Sequence, residues 1–250
     1  MHWKKSIIVV LLGLTNLYAK TVEGEILLGI FSHAPSGNAS YTLPGKTMNA
    51  AVDLENTFGW KQENDVAAEA YLEHSLPFFP NTKIGYTNLS HTGQGNATDF
   101  FWGNIISFDG FVASNLDLEL YDITPYYKIL DNTLEADLGI TLRYIDGNIA
   151  VNTFLQNETT DFESLVPMLY GKAKVAIPNT DISIQCEADA ISADRTTFYD
   201  YEISVRYAFG LGLGLEGGYK AFHLNSDELA DGLKTNIDFE GPYTMLTWSF

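Results

Sequence analysis

Between Tyr199 and Phe209 the chain alternates with a period of two. Tyr199, Tyr201, Ile203, Val205, Tyr207 and Phe209 share one parity, and Asp200, Glu202, Ser204, Arg206 and Ala208 share the other. Successive side chains of a strand point to opposite faces, so this segment has one wholly apolar face and one polar or small face. The apolar face carries aromatics at both ends with aliphatics between them, the arrangement of two interfacial girdles around a hydrocarbon band. Its length suits the roughly 9 to 11 residues of a tilted strand that crosses a bilayer. A sandwich strand alternates too, so the weight lies on repetition.

The pattern repeats. Leu134, Ala136, Leu138, Ile140, Leu142 and Tyr144 oppose Glu135, Asp137, Gly139, Thr141 and Arg143, and Ile182, Ile184, Cys186, Ala188 and Ala190 oppose Asp181, Ser183, Gln185, Glu187 and Asp189. Val66 to Leu72 and Leu211 to Ala221 behave likewise. Placing turns between such segments predicts strands near 22–31, 65–77, 82–91, 116–130, 133–146, 164–177, 181–192, 198–209, 211–224 and 237–250. Tight turns then alternate with long loops at 32–63, 92–115, 147–163 and 225–236, as bacterial outer-membrane barrels require. The expected fold is all-β, a transmembrane antiparallel up-and-down β-barrel of ten strands. Eight or twelve are the alternatives, because 100–113 can add or extend strands. Parity slips between Leu120 and Asp122, which predicts a bulge there.

At the N-terminus, Lys4 and Lys5 precede an apolar run from Ile7 to Leu14, and Leu17-Tyr18-Ala19 offers a small residue for cleavage. This is the layout of a signal peptide over 1–19, leaving a barrel domain over 20–250, and the apolar run is too short to span a bilayer as a helix. With 14 basic against 32 acidic residues, the composition excludes a phosphate-tracking nucleic-acid binder. The single cysteine, Cys186, excludes a disulfide scaffold and a cysteine-rich zinc site. No cofactor is expected.

The chain closes with Tyr243-Thr244-Met245-Leu246-Thr247-Trp248-Ser249-Phe250, in which Leu246, Trp248 and Phe250 share a face. This ending resembles the insertion signal that the barrel-assembly machinery reads on the last strand of outer-membrane barrels. The chain as a whole resembles a family of uncharacterised proteobacterial outer-membrane β-barrel proteins with a Gly-Gly pair in a late strand, matched by Gly217-Gly218. The resemblance implies a barrel in the outer membrane of a Gram-negative bacterium, surrounded by lipid and lipopolysaccharide, and no particular activity.

The polar parity of the strands predicts the lumen: Glu135, Asp137, Arg143, Lys172, Lys174, Glu187, Asp189, Asp200, Glu202, Arg206, Glu216 and Lys220. Two consequences are open. Paired charges would plug a narrow barrel, since isolated buried charges are costly. An excess of carboxylates would instead make a small cation-preferring pore. The expected function is a porin-like narrow passive pore or a binding barrel for small solutes. The alternative is a non-conducting structural or adhesion barrel acting through its extracellular loops. A soluble barrel with an apolar interior would show the reverse parity and would have no use for aromatic girdles.

Gly212, Gly214 and Gly218 leave a strip without side chains, read as room for bulky neighbours such as Tyr170 and Met168. No enzyme is expected: Ser32-His33, His74-Ser75 and Ser90-His91 are adjacent in strands, so their side chains point apart and offer no catalytic dyad. Asp161, Glu163, Asp227, Glu228 and Asp231 have no metal-loop spacing and are read as solvated acids, so no metal site is expected. The loop 32–63 is long enough to fold into the mouth or to meet a partner.

Overall fold

The computed structural model describes residues 22–250 apart from 44, 47–50, 77 and 194, so the signal segment 1–19 lies outside the described residues. Among the described residues eleven strands form, β1 (Val22–Tyr41), β2 (Val52–Asp53), β3 (Glu63–His74), β4 (Asn81–Trp102), β5 (Ile105–Asp131), β6 (Leu134–Thr153), β7 (Asn157–Ala176), β8 (Ile182–Ala193), β9 (Thr196–Gly210), β10 (Leu213–Ala230) and β11 (Leu233–Ser249). All except β2 close into one antiparallel ring of ten, sealed where Ile26 pairs with Trp248 and Leu28 with Leu246. The two-residue β2 hangs on β1 through Asn38 and Ala39. Val22 and Phe250 lie at one end, here the lower, together with the short links that follow β3, β5, β7 and β9.

Outward side chains are apolar over the lower part of the ring and stop being so at Ile30, Val66, Tyr86, Tyr121, Tyr144 and Tyr219. Above that line the outward positions read Ser32, Asn64, Asn88, Glu119, Asp146 and Glu163. An apolar belt bounded by tyrosines on a ring without edges is the surface that hydrocarbon requires. The ring is a transmembrane β-barrel.

The expected loops are a correction. Residues 92–115, 147–163 and 225–236 are mostly strand, and the β4–β5, β6–β7 and β10–β11 hairpins stand well above the membrane band. Their outward faces are polar and their inward faces apolar, so they lack the outward apolar signature that marks a lipid-facing strand. The predicted bulge at Leu120–Asp122 is absent as well. In β5 the even residues point inward without interruption, Leu116, Leu118 and Leu120 among them, and the register shift falls lower, at Lys128/Leu130. What changes near Leu120 is the medium outside.

The interior is thus built in two storeys. The lower one is polar and charged. The upper one is a dry core that includes Leu116, Leu118, Ile145, Ile149, Val151, Phe222, Leu224 and Phe239. Its centre comes from the segment between β2 and β3, which folds into the mouth and buries Leu54, Phe58 and Trp60. That segment lies backbone against backbone on the inner face of β4: a Cβ on Gly93 would collide with the Phe58 carbonyl, and one on Gly59 with the Gln94 carbonyl. Glycine is needed at such a close approach. Phe58 packs on Trp60 and Trp102 at ring-centroid distances of 5.2 and 5.3 Å. Phe58→Ala is expected to cost about 3–5 kcal/mol of stability, as truncation of a fully buried aromatic does, read as an earlier midpoint of denaturant unfolding in detergent.

Candidate functional site

The lower storey is organised by four carboxylates on two neighbouring strands. Glu187 on β8 sits directly across from Glu202 on β9, and Asp189 directly across from Asp200. Like charges in opposed positions repel, and all four side chains are buried. They persist because cations reach them from other walls of the ring. Lys83 of β4 contacts Glu187 and lies 3.1 Å from Glu69, Lys172 of β7 lies 3.6 Å from Glu187, and Lys220 of β10 lies 3.4 Å from Glu202. Arg143 of β6 contacts Asp200 and grips Asp122 through Nε and Nη2, each at 2.7 Å. Thr141 donates to Asp189.

Tyrosines complete the network. Tyr71 donates to Glu69 and Glu187 and Tyr170 to Glu187, each at 3.0 Å, while Tyr243 donates to Glu216 at 2.8 Å. Arg206 binds Glu216 through Nε and Nη2, at 2.9 and 2.7 Å, and Glu25 through Nη1, at 2.6 Å. Charge-assisted bonds of this kind offset the large desolvation cost of buried ions only when several partners converge, as here. Glu69, Glu187 and Glu202 bring carboxylate oxygens within 4.8 Å of one another. The ammonium groups of Lys83, Lys172 and Lys220 already supply the positive charge there, so the donor set does not fit a resident metal ion.

All twelve expected lumen residues face this interior, with Glu135 and Lys174, 3.3 Å apart, at its lower edge. Below the network lies a vestibule of about 610 Å³ open at the lower end, lined by Glu23, Glu73, Lys128, Glu135, Asp137 and Lys174 and roofed by Tyr71, Lys172 and Arg206. Leu246, Trp248 and Phe250 are exposed on the outer face. The glycine strip resolves differently from expectation. Gly212 belongs to the β9–β10 turn at φ 76°, and Gly218 makes room for the Tyr243 ring rather than for Tyr170 or Met168. Among the acids, Asp161 accepts from Asn148 and Asp227 pairs with Lys234 at 3.2 Å.

Sequence adjacency concealed one cluster. His33 and His91, 58 residues apart, meet above the membrane band with Nδ1 of His33 3.0 Å from Nε2 of His91. His91 Nδ1 donates to the Lys61 carbonyl at 3.0 Å, so its Nε2 is the acceptor, and His33 Nε2 lies 3.1 Å from Asp65. The His91 ring is stacked between Trp60 and Phe239, at 5.8 and 5.3 Å. Burial, and then the neighbouring His33, push the His91 pKa down to about 4; burial also lowers that of His33, against the pull of Asp65. Both rings are buried away from solvent and tie the inserted segment to the wall.

No protein-family model matches the sequence, and no curated protein is similar to it. Among solved structures, the attachment invasion locus protein Ail of Yersinia pestis, solved with the heparin analogue sucrose octasulfate, is similar at 9% identity and a TM-score of 0.41, over 92% of this chain and 100% of that one. The transport unit of the autotransporter AIDA-I from Escherichia coli is similar at 8% identity and a TM-score of 0.40, over 94% and 91%. The toluene transporter TodX of P. putida is similar at 8% identity and a TM-score of 0.35, over 93% and 91%. Similarity at this level decides nothing about activity.

Two outcomes follow from the site. Arg143→Met leaves the buried Asp200 and the half-buried Asp122 without their guanidinium, so it is expected to destabilise the barrel by about 3–5 kcal/mol. Adding Asp122→Asn and Asp200→Asn should restore most of that loss, both steps being read by denaturant unfolding in detergent. His91 binds its proton near 6.5 when unfolded and near 4 when folded, so the stability it contributes is present above pH 6.5 and is lost as pH falls toward 4. A titration of Trp60 emission should change as pH falls toward 4 in the parent and change less in His91→Gln, where only His33 remains to titrate.

Proposed function

We propose that the protein is a non-conducting outer-membrane barrel that works through the surface of its extended upper hairpins. The observation that carries this reading is that two layers of side chains, built by unrelated means, cross the interior. At membrane depth, the acids and bases expected to set selectivity are spent on one another, as in Arg143 with Asp122 and Asp200 and Arg206 with Glu25 and Glu216. Above them, Leu54, Phe58 and Trp60 fill the mouth. A porin-like path would have to disrupt both layers.

The upper end supports a binding role. The tip of the β6–β7 hairpin presents Phe154 and Leu155 at 85% and 67% exposure. They stand about ten residues beyond Tyr144, on the order of 30 Å along the strand, well clear of the membrane that would otherwise explain exposed apolar side chains. In this reading the upper end faces outside, the lower vestibule faces the periplasm, and residues 1–19 are removed on export. Lipid and lipopolysaccharide surround the band, and Leu246, Trp248 and Phe250 are read by the assembly machinery.

The test is single-channel recording from the refolded chain beginning at Lys20 in a planar bilayer. Silence is expected, both for the parent and for a variant in which 54–60 is replaced by a Gly-Ser linker, because the ionic layer remains. Discrete cation-biased openings of the parent would overturn the proposal and return the function to small-solute passage.

A further inference from the structure

Two ladders of the ring stop short of the upper end. Pairing of β3 with β4 ends at Ala67 and Thr87, and pairing of β7 with β8 ends at Leu169 and Ala190. The first seam is sealed. Asp65 reaches across it and accepts from the Ser90 backbone N–H at 2.7 Å and from Asn88 Nδ2 at 3.0 Å. The inserted segment covers β4 just above.

Among the described residues no side-chain hydrogen bond of this kind crosses the second seam, and β7 meets β10 only above the β8–β9 hairpin. β7 runs on from Met168 to Asn157 paired with β6 alone, while β8 turns back into β9 three residues past Ala190. Pro167 stands in the unpaired stretch and has no N–H to leave unsatisfied there. A groove of about 540 Å³ follows the seam, and through Pro167 and Ile191 it continues into a second space of about 310 Å³ that reaches Val166 and Leu229. Both volumes lie in or near the range of ligand pockets.

The lining identifies a gap in the wall. Met168 and Val166 point into the barrel and Leu169 and Leu165 point out, yet these neighbours share the same groove system. The height identifies the occupant. Leu169 is level with Ile140 and Leu165 with Tyr144, so the gap lies within the upper part of the outward apolar band, where the surrounding medium is hydrocarbon.

We propose that the β7–β8 seam is a binding site for a single acyl chain of a surrounding membrane lipid, which passes between the strands and lies against the inward side chains of β7. The groove is continuous with the lipid-facing surface, and beside the seam it is lined by Ile140, Pro167, Met168, Leu169 and Ile191, with the hydroxyls of Ser192 and Thr197 toward the β8–β9 turn. Lipid that merely surrounds the barrel would touch only outward residues.

The test uses the full barrel in phosphatidylcholine vesicles doped with a phosphatidylcholine that carries a diazirine in mid-chain. After irradiation, adducts are mapped by peptide mass spectrometry. Adducts are expected on Val166 and Met168 as well as on Leu165 and Leu169. Ile191→Trp, which fills the groove from its inner side, should reduce the inward adducts at least five-fold and leave those on Leu165 and Leu169 unchanged. Ala190→Phe at the outer lip serves if the first variant does not fold. Adducts confined to outward side chains, or inward adducts that survive in a folded, filled variant, would overturn the assignment.

Discussion

The barrel depends on how it neutralises the two opposed carboxylate pairs of β8 and β9. Glu187 with Glu202 and Asp189 with Asp200 would drive these strands apart if left to themselves. Neither strand carries a cation at that height; the compensating charges come from β4, β6, β7 and β10. The pairing of β8 with β9 therefore relies on the rest of the ring being closed, and closure in turn places Arg143, Lys83, Lys172 and Lys220 where they are needed. Local ladder and global topology stabilise each other through one network, with tyrosines as its neutral donors.

A second constraint comes from outside. A strand that leaves the bilayer passes from one solvent to another, and its amphipathy inverts. β6 shows this in one chain: Leu138, Ile140 and Leu142 face lipid below Tyr144, whereas Ile145, Ile149 and Val151 face inward above it. The side-chain directions do not change, since the register runs unbroken from Asn152 to Leu134. Below, apolar groups belong outside and charges must be housed within. Above, water takes the charges and the interior becomes an ordinary dry core. Arg143 sits at the junction, with its guanidinium bound to carboxylates and its carbon 5.1 Å from the centre of the Phe198 ring.

Legibility in the sequence follows from the same inversion. The membrane storey could be read because one parity is uniformly apolar over about ten residues, and ten strands emerge from that pattern; which parity faces inward had to be taken from the aromatic girdles and the terminal Phe250. In the upper storey the apolar set lies on the opposite parity, so Leu116, Leu118 and Leu120 look like a slip and 147–163 looks like a loop. The parity assigned to a soluble barrel describes this half. Other features depended on distance in the chain. The meeting of His33 with His91 and the seating of Phe58 against Gly93 join segments that no periodicity links, and the end of the β7–β8 ladder is a matter of relative strand length that only Pro167 hints at.

The ionic layer also bears on why the ring has a single register. In a strand a one-residue slip moves every side chain to the other face. Were the lower interior packed with leucine and valine, both faces of each strand would be apolar, and a slipped barrel would be hardly worse solvated than the native one. With Glu187, Asp189, Asp200, Glu202 and Arg206 on one parity, a slip of β8 or β9 would carry unpaired charges into hydrocarbon at a cost of several kcal/mol each. The network therefore contributes less by its net stabilisation than by the penalty it imposes on alternatives.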